Sequence, residues 1–247
     1  MRYQILVDLF RSARSDPSLV VLEGFHPLKH AIRFGAELVE AVTVNLAELS
    51  KLAVGYAPDI MPTVHQHVIV VPAQVFEQLA PVPPPTGIIA IARRPTVYLN
   101  DILDSSAPAP VVLLENPRNH NNIGAAIRVS AAAGAAGVIT LGLHDPWNPA
   151  SIISGVGSQF ALPVARASNA PKCGRPLVAV DSSGEPLSAN SIPARAILAF
   201  GAERSGLSQE LLAVADHCIA IPMAEGVSSL NLATAVAVVL YTWRLER

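Results

Sequence analysis

The chain has 247 residues, of which 51% are hydrophobic and 15% are charged, so a largely disordered protein is excluded. A formal net charge of −2 also excludes a protein that attracts nucleic acid through a strongly basic overall field. Two distant cysteines, Cys173 and Cys218, predict buried, reduced thiols and no metal site. The short apolar stretches at both ends predict neither a signal peptide nor a membrane span, and therefore a cytoplasmic protein.

Residues 1–99 alternate short strands with helices, which is typical of a small α/β domain. Strands are predicted at "SLVVLEG", "VEAVTVN", "VHQHVIVV" and "GIIAIARRP", and helices at "HPLKHAIRFG", "LAELSKLAV" and "AQVFEQLA". The third strand would carry His65 and His67 on one face, as a solvated pair rather than as metal ligands. Small residues and prolines in "NDILDSSAPAP" predict a linker over residues 100–110.

Residues 111–247 predict a second α/β domain with a mostly parallel sheet and helices on both faces. Strands are predicted at "VVLLE", at 138–141, and at "LVAVD", "AILAFG" and "HCIAIP"; helices are predicted at 123–133, around 150–159, at "SQELLAVA" and at the end of the chain. Ligands of such sheets bind beyond the carboxyl ends of the strands. The loops over 116–122, 201–207 and 223–229 leave those ends with unusual polar residues.

Two generic nucleotide motifs fail in this domain. In "GAERSGLS", Leu207 stands where a phosphate-binding loop needs lysine, which argues against ATP. In "SGVGSQF", Phe160 stands where a dinucleotide site needs its third glycine, which argues against NAD.

The first loop, "ENPRNHNNIGAAIR", crowds polar groups into an otherwise apolar region. Asn122 is expected at the start of a helix, where it could act as the N-cap. Arg128 lies four residues after Gly124, and it is expected to lean over the bare glycine toward the helix N-terminus. The guanidinium and the amide would then converge on a phosphate or a developing oxyanion, although a solvated helix arginine remains the alternative.

The other two loops add further candidates. Glu203 follows a buried strand and is expected at the edge of the sheet. Ser228 and Ser229 are expected near the cap of the last helix, and Asn231 in its first turn. Asn231 stands between Leu230 and Leu232, so burial is expected there, together with a hydrogen-bonding partner.

These three motifs, in this order, resemble those of the SpoU/TrmH family of SPOUT RNA 2′-O-ribose methyltransferases. The matching positions are Asn122, Gly124, Arg128 and Gly134 in the first motif, Gly201, Glu203, Gly206 and Leu207 in the second, and Ile221, Pro222, Met223, Ser229, Leu230 and Asn231 in the third. The N-terminal segments "VVLEGFHPLKHAI" and "TGIIAIARRP" are similar to the RNA substrate-binding domain of the ribosomal-RNA branch.

The resemblance implies a trefoil knot in the C-terminal domain, a homodimer, and S-adenosylmethionine held among the knot loops. The implied cofactor-binding positions are Ala199, Gly201, Ile221, Met223 and Leu230. It also implies methyl transfer to a ribose 2′-hydroxyl of RNA, most readily ribosomal RNA, with Arg128, Asn122, Glu203, Ser229 and Asn231 as catalytic residues. The alternatives are a base or tRNA methyltransferase of the same fold and a non-catalytic SPOUT-like RNA-binding protein.

Two positions depart from the family pattern. Glu225 stands where a glycine usually follows the methionine by two residues, and Gly226 comes next. Ile153 replaces a frequent basic residue, so RNA contacts on that side are expected to be weaker or moved.

Overall fold

A computed structural model of the protein describes residues 2–245. It divides into two compact units. The first comprises the chain up to Thr96 together with Val156–Ala161, and the second comprises Val97–Gly155 and the chain from Leu162 onward.

The first unit contains a four-stranded sheet in the order β1-β4-β2-β3, in which only the β2–β3 pair is parallel. Its strands are β1 (Leu19–Glu23), β2 (Leu38–Thr43), β3 (Val68–Val70) and β4 (Ile88–Arg93), and its helices are α1 (Arg2–Ala13), α2 (Phe25–Arg33), α3 (Leu46–Tyr56), α4 (Met61–His67) and α5 (Ala73–Phe76). Apolar side chains of α1, including Phe10, pack in one core cluster with β1 and β4.

The predicted strand "VHQHVIVV" is wrong in its first half, because residues 64–67 complete helix α4. Pro62 stands in the first turn of that helix, where its fixed φ favours helix formation and its missing N–H costs nothing. His65 and His67 therefore lie on a helix and not on one face of a strand. Helix α1 was not predicted from the sequence at all.

The second unit contains a six-stranded sheet in the order β10-β8-β9-β5-β6-β7, and every neighbouring pair is parallel. Its strands are β5 (Val111–Leu114), β6 (Gly137–Leu141), β7 (Val164–Ala167), β8 (Leu177–Pro186), β9 (Ile197–Phe200) and β10 (His217–Ala220). Its helices are α6 (Leu99–Leu103), α7 (His120–Ala133), α8 (Pro149–Ser154), α9 (Gln209–Val214) and α10 (Leu232–Leu245). This confirms the predicted fold class, although β7 was missed.

Helices cover both faces of this sheet. Apolar residues of α6 and α9 join Val111 and Leu113 of β5 in one core cluster, while α7 packs against α8 and α10. Within residues 2–245, no helix is long and apolar enough to cross a membrane. Cys173 is exposed and Cys218 is half-buried, so the prediction of two buried thiols is wrong.

The linker predicted over 100–110 is also wrong, because it contains most of α6 and belongs to the second unit. Ile102 is fully buried in the core cluster. The buried guanidinium of Arg175 donates to the carbonyl oxygens of Leu103 at 2.7 Å, Ser105 at 2.8 Å and Ala109 at 3.2 Å. These hydrogen bonds could not be predicted from the composition of residues 100–110, since the guanidinium comes from about 70 residues away.

Strand register brings the predicted loops to one edge of the sheet. Leu114 at the end of β5 and Val180 of β8 both pair with Phe200 at the end of β9. The first loop and the second loop therefore begin at the same level of the sheet, beyond the carboxyl ends of β5 and β9, and Asp181 lies within β8 at that level.

Candidate active site

A chain of hydrogen bonds joins the three predicted loops. Asn122 Nδ2 donates to Glu203 Oε1 at 2.7 Å, and Asn231 Nδ2 donates to Asn122 Oδ1 at 3.0 Å. Asn231 Oδ1 in turn accepts from the backbone N–H of Ala233 at 2.9 Å, at the start of α10. The amide of Asn122 thus connects two residues that are distant in sequence: Glu203 is 81 positions away and Asn231 is 109 positions away.

The direction of this chain is fixed at both ends. An ionised carboxylate only accepts hydrogen bonds, and a helix N–H only donates them. Burial by itself raises the pKa of Glu203, but hydrogen bonds from Asn122 and from the backbone, including Arg118, lower that pKa below its ordinary value overall. Glu203 is therefore ionised near neutral pH, and each of the two amides has one orientation that satisfies its partners.

A cavity of about 510 Å³ lies beside this hydrogen-bond chain. Its wall comes from the middle of β8, from the end of β9, from the second and third loops and from the start of α10. Six of the predicted site residues line it: Gly201, Glu203, Ile221, Met223, Ser229 and Leu230. Ala199 does not. It is fully buried inside β9 in the apolar core, so its role as a cofactor contact stays a prediction.

The second loop folds back tightly on itself at the mouth of the cavity. Ala202 and Gly206 exchange backbone hydrogen bonds at 3.2 and 2.9 Å. A Cβ at Gly201 would overlap the backbone of Gly206 and Leu207, and Gly206 has φ +66°. Both glycines are thus required by the backbone, which shapes one wall of the cavity.

The polar crowding before α7 has several separate causes. Asn116 has φ +48° and packs against Gly142, so it forms a left-handed turn after β5. Asn119 is the N-cap of α7, because its side chain accepts from the N–H of Asn121 at 2.8 Å. Asn122 is therefore not the cap. It lies inside the first turn and directs its amide to Glu203.

The structure corrects the geometry expected around Arg128. Gly124 is not a bare surface under the arginine; it is buried against α8, and a Cβ there would overlap Ser151 and Ser154. Arg128 is exposed on α7 and forms no side-chain hydrogen bond or ion pair with any residue in 2–245. Its guanidinium is available to a ligand, and neither Asn122 nor Glu203 holds it in place.

The third loop is more open than the sequence indicates. Residues 224–231 are all exposed, including Asn231, whose burial was expected. Gly226 takes φ +82° just after Glu225, so the left-handed position of this loop lies at Gly226 itself. On α8, Ile153 is 46% exposed at the position where a basic residue was expected.

Three charged residues at this edge were missed by the sequence reasoning. Asp181 and Arg204 line the cavity, and Arg118 is an exposed neighbour of Glu203. Arg118 and Arg204 lie inside the predicted loops over 116–122 and 201–207, so their position in the sequence could have identified them as site candidates. Asp181 follows the apolar first half of β8 and lies within that strand, which continues to Pro186 past the level where β9 ends.

These features define a class of protein: an α/β enzyme with a ligand cavity and a polar hydrogen-bond chain at the carboxyl edge of a parallel sheet. Comparison with known families then gives a more specific assignment. The sequence profile of the SpoU rRNA Methylase family matches residues 109–241, more than half of the chain, and the chain belongs to that family.

Relatives with curated functions are similar over most of their length. The chain is 28% identical to a 23S rRNA (uridine(2479)-2′-O)-methyltransferase of Streptomyces viridochromogenes, covering 94% of this chain and 84% of the relative. It is also 28% identical to a 23S rRNA (adenosine(1067)-2′-O)-methyltransferase of Streptomyces laurentii, covering 96% and 90%. The crystal structure of the SpoU methyltransferase AviRb from Streptomyces viridochromogenes with AdoMet superposes with a TM-score of 0.79 at 27% identity, covering 99% and 97%.

Proposed function

We propose that this protein transfers a methyl group from S-adenosylmethionine to a ribose 2′-hydroxyl of RNA, with ribosomal RNA as the favoured substrate. The observation that carries the proposal is the Asn231–Asn122–Glu203 hydrogen-bond chain beside the cavity. Family membership supports the reaction type, and two relatives named as 23S rRNA 2′-O-methyltransferases support the substrate class.

The cavity fits S-adenosylmethionine in size and in chemistry. Its volume lies within the roughly 300–1,000 Å³ of small-ligand sites. Asp181 and Glu203 place carboxylates in the wall, where they suit a sulfonium and an ammonium, and Arg204 suits a carboxylate. Ile221 and Leu230 offer apolar surface for a purine. When bound, the cofactor supplies an electrophilic methyl group.

Arg128 is proposed to act as a cation. A guanidinium stays protonated in proteins near neutral pH, which argues against Arg128 as a literal base. An exposed guanidinium without a side-chain partner among residues 2–245 is suited to bind the phosphate of the target nucleotide and to stabilise the alkoxide that forms from its 2′-hydroxyl. The proton would leave to a phosphate oxygen or to water.

The other candidate residues are proposed to position the target ribose. Glu203 holds the amide of Asn122 in one orientation, and Asn122 holds that of Asn231. Ser229 lines the cavity and is proposed to hydrogen-bond near the ribose. Since DNA lacks the 2′-hydroxyl, this arrangement would act on RNA alone.

The first unit is proposed to select the RNA, and the second to carry cofactor binding and transfer. A cytoplasmic homodimer and a trefoil knot in the second unit are part of the same proposal, on the strength of the family resemblance. The two curated relatives modify different nucleotides, yet each is 28% identical to this chain, so the target nucleotide has to be mapped.

The test is transfer of a labelled methyl group by the full-length protein to deproteinised 23S rRNA, with tRNA in parallel. Label recovered in the 2′-O-methyl nucleoside of 23S rRNA is the expected result, and label in a base or only in tRNA would contradict it. Calorimetry should show binding of S-adenosylmethionine but not of ATP or NAD. Tight binding of ATP with none of S-adenosylmethionine would overturn the proposal.

A further inference from the structure

Two histidine rings meet at the carboxyl edge of the sheet, outside the hydrogen-bond chain. His120 is the first residue of α7, and His144 lies in the loop after β6. Their ring centroids are 4.8 Å apart with an interplanar angle of 61°, an edge-to-face contact. Both side chains are half-buried, so the pair is packed on one side and open on the other.

The loops that carry the two rings are fixed to each other. Gly142, with φ +95°, approaches Asn116 so closely that a Cβ would lie 2.5 Å from its Oδ1. Arg166 Nη1 donates to the carbonyl oxygen of Leu143 at 3.2 Å. The backbone of the loop that carries His144 is therefore fixed by the side chains of Asn116 and Arg166 before any ligand arrives, which lowers the entropic cost of binding.

The surface around the rings combines apolar and cationic groups. Leu143 is 91% exposed, next to His144. Arg118 is exposed two residues before His120, and Arg166 is exposed at the end of β7. An exposed leucine beside aromatic rings with guanidiniums at the margin suits a flat, partly apolar ligand that carries negative charge.

The protonation state of His120 indicates which chemical group the ring pair would bind. Burial, followed by the neighbouring His144, lowers the pKa of His120, while Asp145 acts weakly in the opposite direction. Near neutral pH His120 is therefore uncharged, and it presents a π face rather than a cation. A neutral ring contributes little to phosphate binding but can stack on a base.

We propose that His120 and His144 form a stacking platform for an unpaired RNA base next to the target nucleotide, with Arg118 and Arg166 contacting the adjoining phosphates. The inference rests on the proposed RNA methyltransferase function and adds a single-stranded target region to it. Asn122 lies two residues after His120 on α7, a rise of about 3 Å, so the platform adjoins the candidate active site.

The first measurement is the affinity of the full-length protein for short oligoadenylate, for oligouridylate and for a blunt RNA duplex, at several salt concentrations. The variants are His120→Ala, His144→Ala and His120→Phe. His217→Ala is the matched control, because His217 is an exposed histidine on β10 at the opposite edge of the same sheet. Calorimetric affinity for S-adenosylmethionine shows whether each variant retains the folded site.

The expected result is that each alanine variant binds oligoadenylate roughly ten-fold more weakly, while His120→Phe and His217→Ala stay within about three-fold of wild type. The dependence of affinity on salt should keep its slope, because no phosphate contact is removed. Three results would overturn the platform: alanine variants that bind like wild type, a slope reduced by about one without rescue by phenylalanine, or a wild-type protein that prefers the duplex.

Transfer of label to 23S rRNA by the wild-type protein separates this inference from the function on which it rests. Wild-type transfer with unchanged affinity in His120→Ala would remove the platform and leave the function standing. Absence of transfer by a wild-type protein that binds S-adenosylmethionine would remove the proposed function, and the oligonucleotide affinities would still decide the platform.

Discussion

Two successive turns of α7 differ in how their residues are held. In the first of them Gly124 is packed against α8 so closely that no side chain fits. One turn later Arg128 is exposed, and its side chain has no hydrogen-bonding partner in residues 2–245. Both residues belong to one sequence motif and lie a single helical turn apart.

This difference separates residues that stabilise the fold from residues that are proposed to bind a ligand. A polar or small group with fixed partners should act mainly on stability when it is changed, because its contacts exist in the free protein. A group without partners should act mainly on reaction rate or RNA binding. Asn122 and Glu203 lie between these limits, since their partners are fixed and belong to the candidate site.

The largest effect is expected for Arg128→Ala. Loss of one preorganised group that stabilises an oxyanion typically costs about 10²–10³ in rate. The affinity for S-adenosylmethionine and the midpoint of thermal unfolding should stay near wild type, because Arg128 has no side-chain partner in the described part of the chain, 2–245, and does not line the cavity. Single-turnover transfer beside cofactor titration checks both points.

Two further variants control that experiment. Arg128→Lys should recover little activity, because a point charge cannot make the forked contact of a guanidinium. Lys172→Ala removes an exposed cation elsewhere in the second unit and should leave the rate unchanged. Wild-type turnover by Arg128→Ala would mean that the arginine is only a solvated helix residue.

Gly124→Ala tests the turn of α7 that is packed against α8 and should lower stability instead. The added methyl group would overlap Ser151 and Ser154, and overpacking of this kind costs about 1–3 kcal/mol. A decrease of roughly 5–10 °C in the midpoint of thermal unfolding is expected. Gly55→Ala is the matched control, because this helical glycine has open space around it and should gain slight stability. Equal midpoints for the two variants would refute the packing difference.

The sequence predicted the parallel sheet and the three loops because these follow from local signals: apolar runs, glycines and polar residues at strand ends. It also singled out Asn122, Glu203 and Asn231, which the structure brings together. The family and the enzyme class, which depended on the order and spacing of the motifs, are confirmed by the family match.

Several of the wrong predictions concern contacts between distant segments. Nothing near Gly124 shows that Ser151 will pack on it, and nothing in the residues 100–110 shows that Arg175 will bind their carbonyl oxygens. The expected cap at Asn122 failed for a related reason. The loop contains four asparagines that could each act as the N-cap. The hydrogen bond from Asn122 to Glu203, a residue distant in sequence, is what distinguishes Asn122 from the capping residue.

Glu203→Gln should have an intermediate effect, because it leaves the size of the side chain unchanged and removes the fixed direction of the hydrogen-bond chain. A neutral amide both donates and accepts, so Asn122 could turn over and lose its orientation toward Asn231. A decrease of roughly ten-fold in the single-turnover rate is expected, with a small loss of stability. Because the pKa of Glu203 lies below its ordinary value, the wild-type rate should show no titration of this group between about pH 6 and 8. A Glu203→Gln protein that transfers methyl groups at the wild-type rate would show that the direction of the chain is irrelevant.

The smallest effect is expected at His30, a titratable group with a fixed partner. Its Nδ1 donates to the carbonyl oxygen of Val156 at 2.5 Å within the first unit. Burial lowers the pKa of His30, and this outweighs the opposing effect of that hydrogen bond. Between the lowered pKa and the ordinary value of about 6.5, the unfolded chain binds more protons than the folded one, so stability rises with pH.

The contribution of neutral His30 to the free energy of unfolding should therefore be complete above about pH 6.5 and be lost as pH falls through the lowered pKa. Thermal unfolding between about pH 5 and 8 measures it. His30→Asn keeps a donor near the position of Nδ1 but does not titrate, so its midpoint should depend less on pH. His120 shifts in the same direction, and the His120→Phe background removes that contribution. A wild-type protein that becomes more stable as pH falls below 6.5 would contradict the predicted direction of this pH dependence. A changed transfer rate at pH 8 in His30→Asn would contradict the view that a residue with fixed partners acts on stability and not on the reaction.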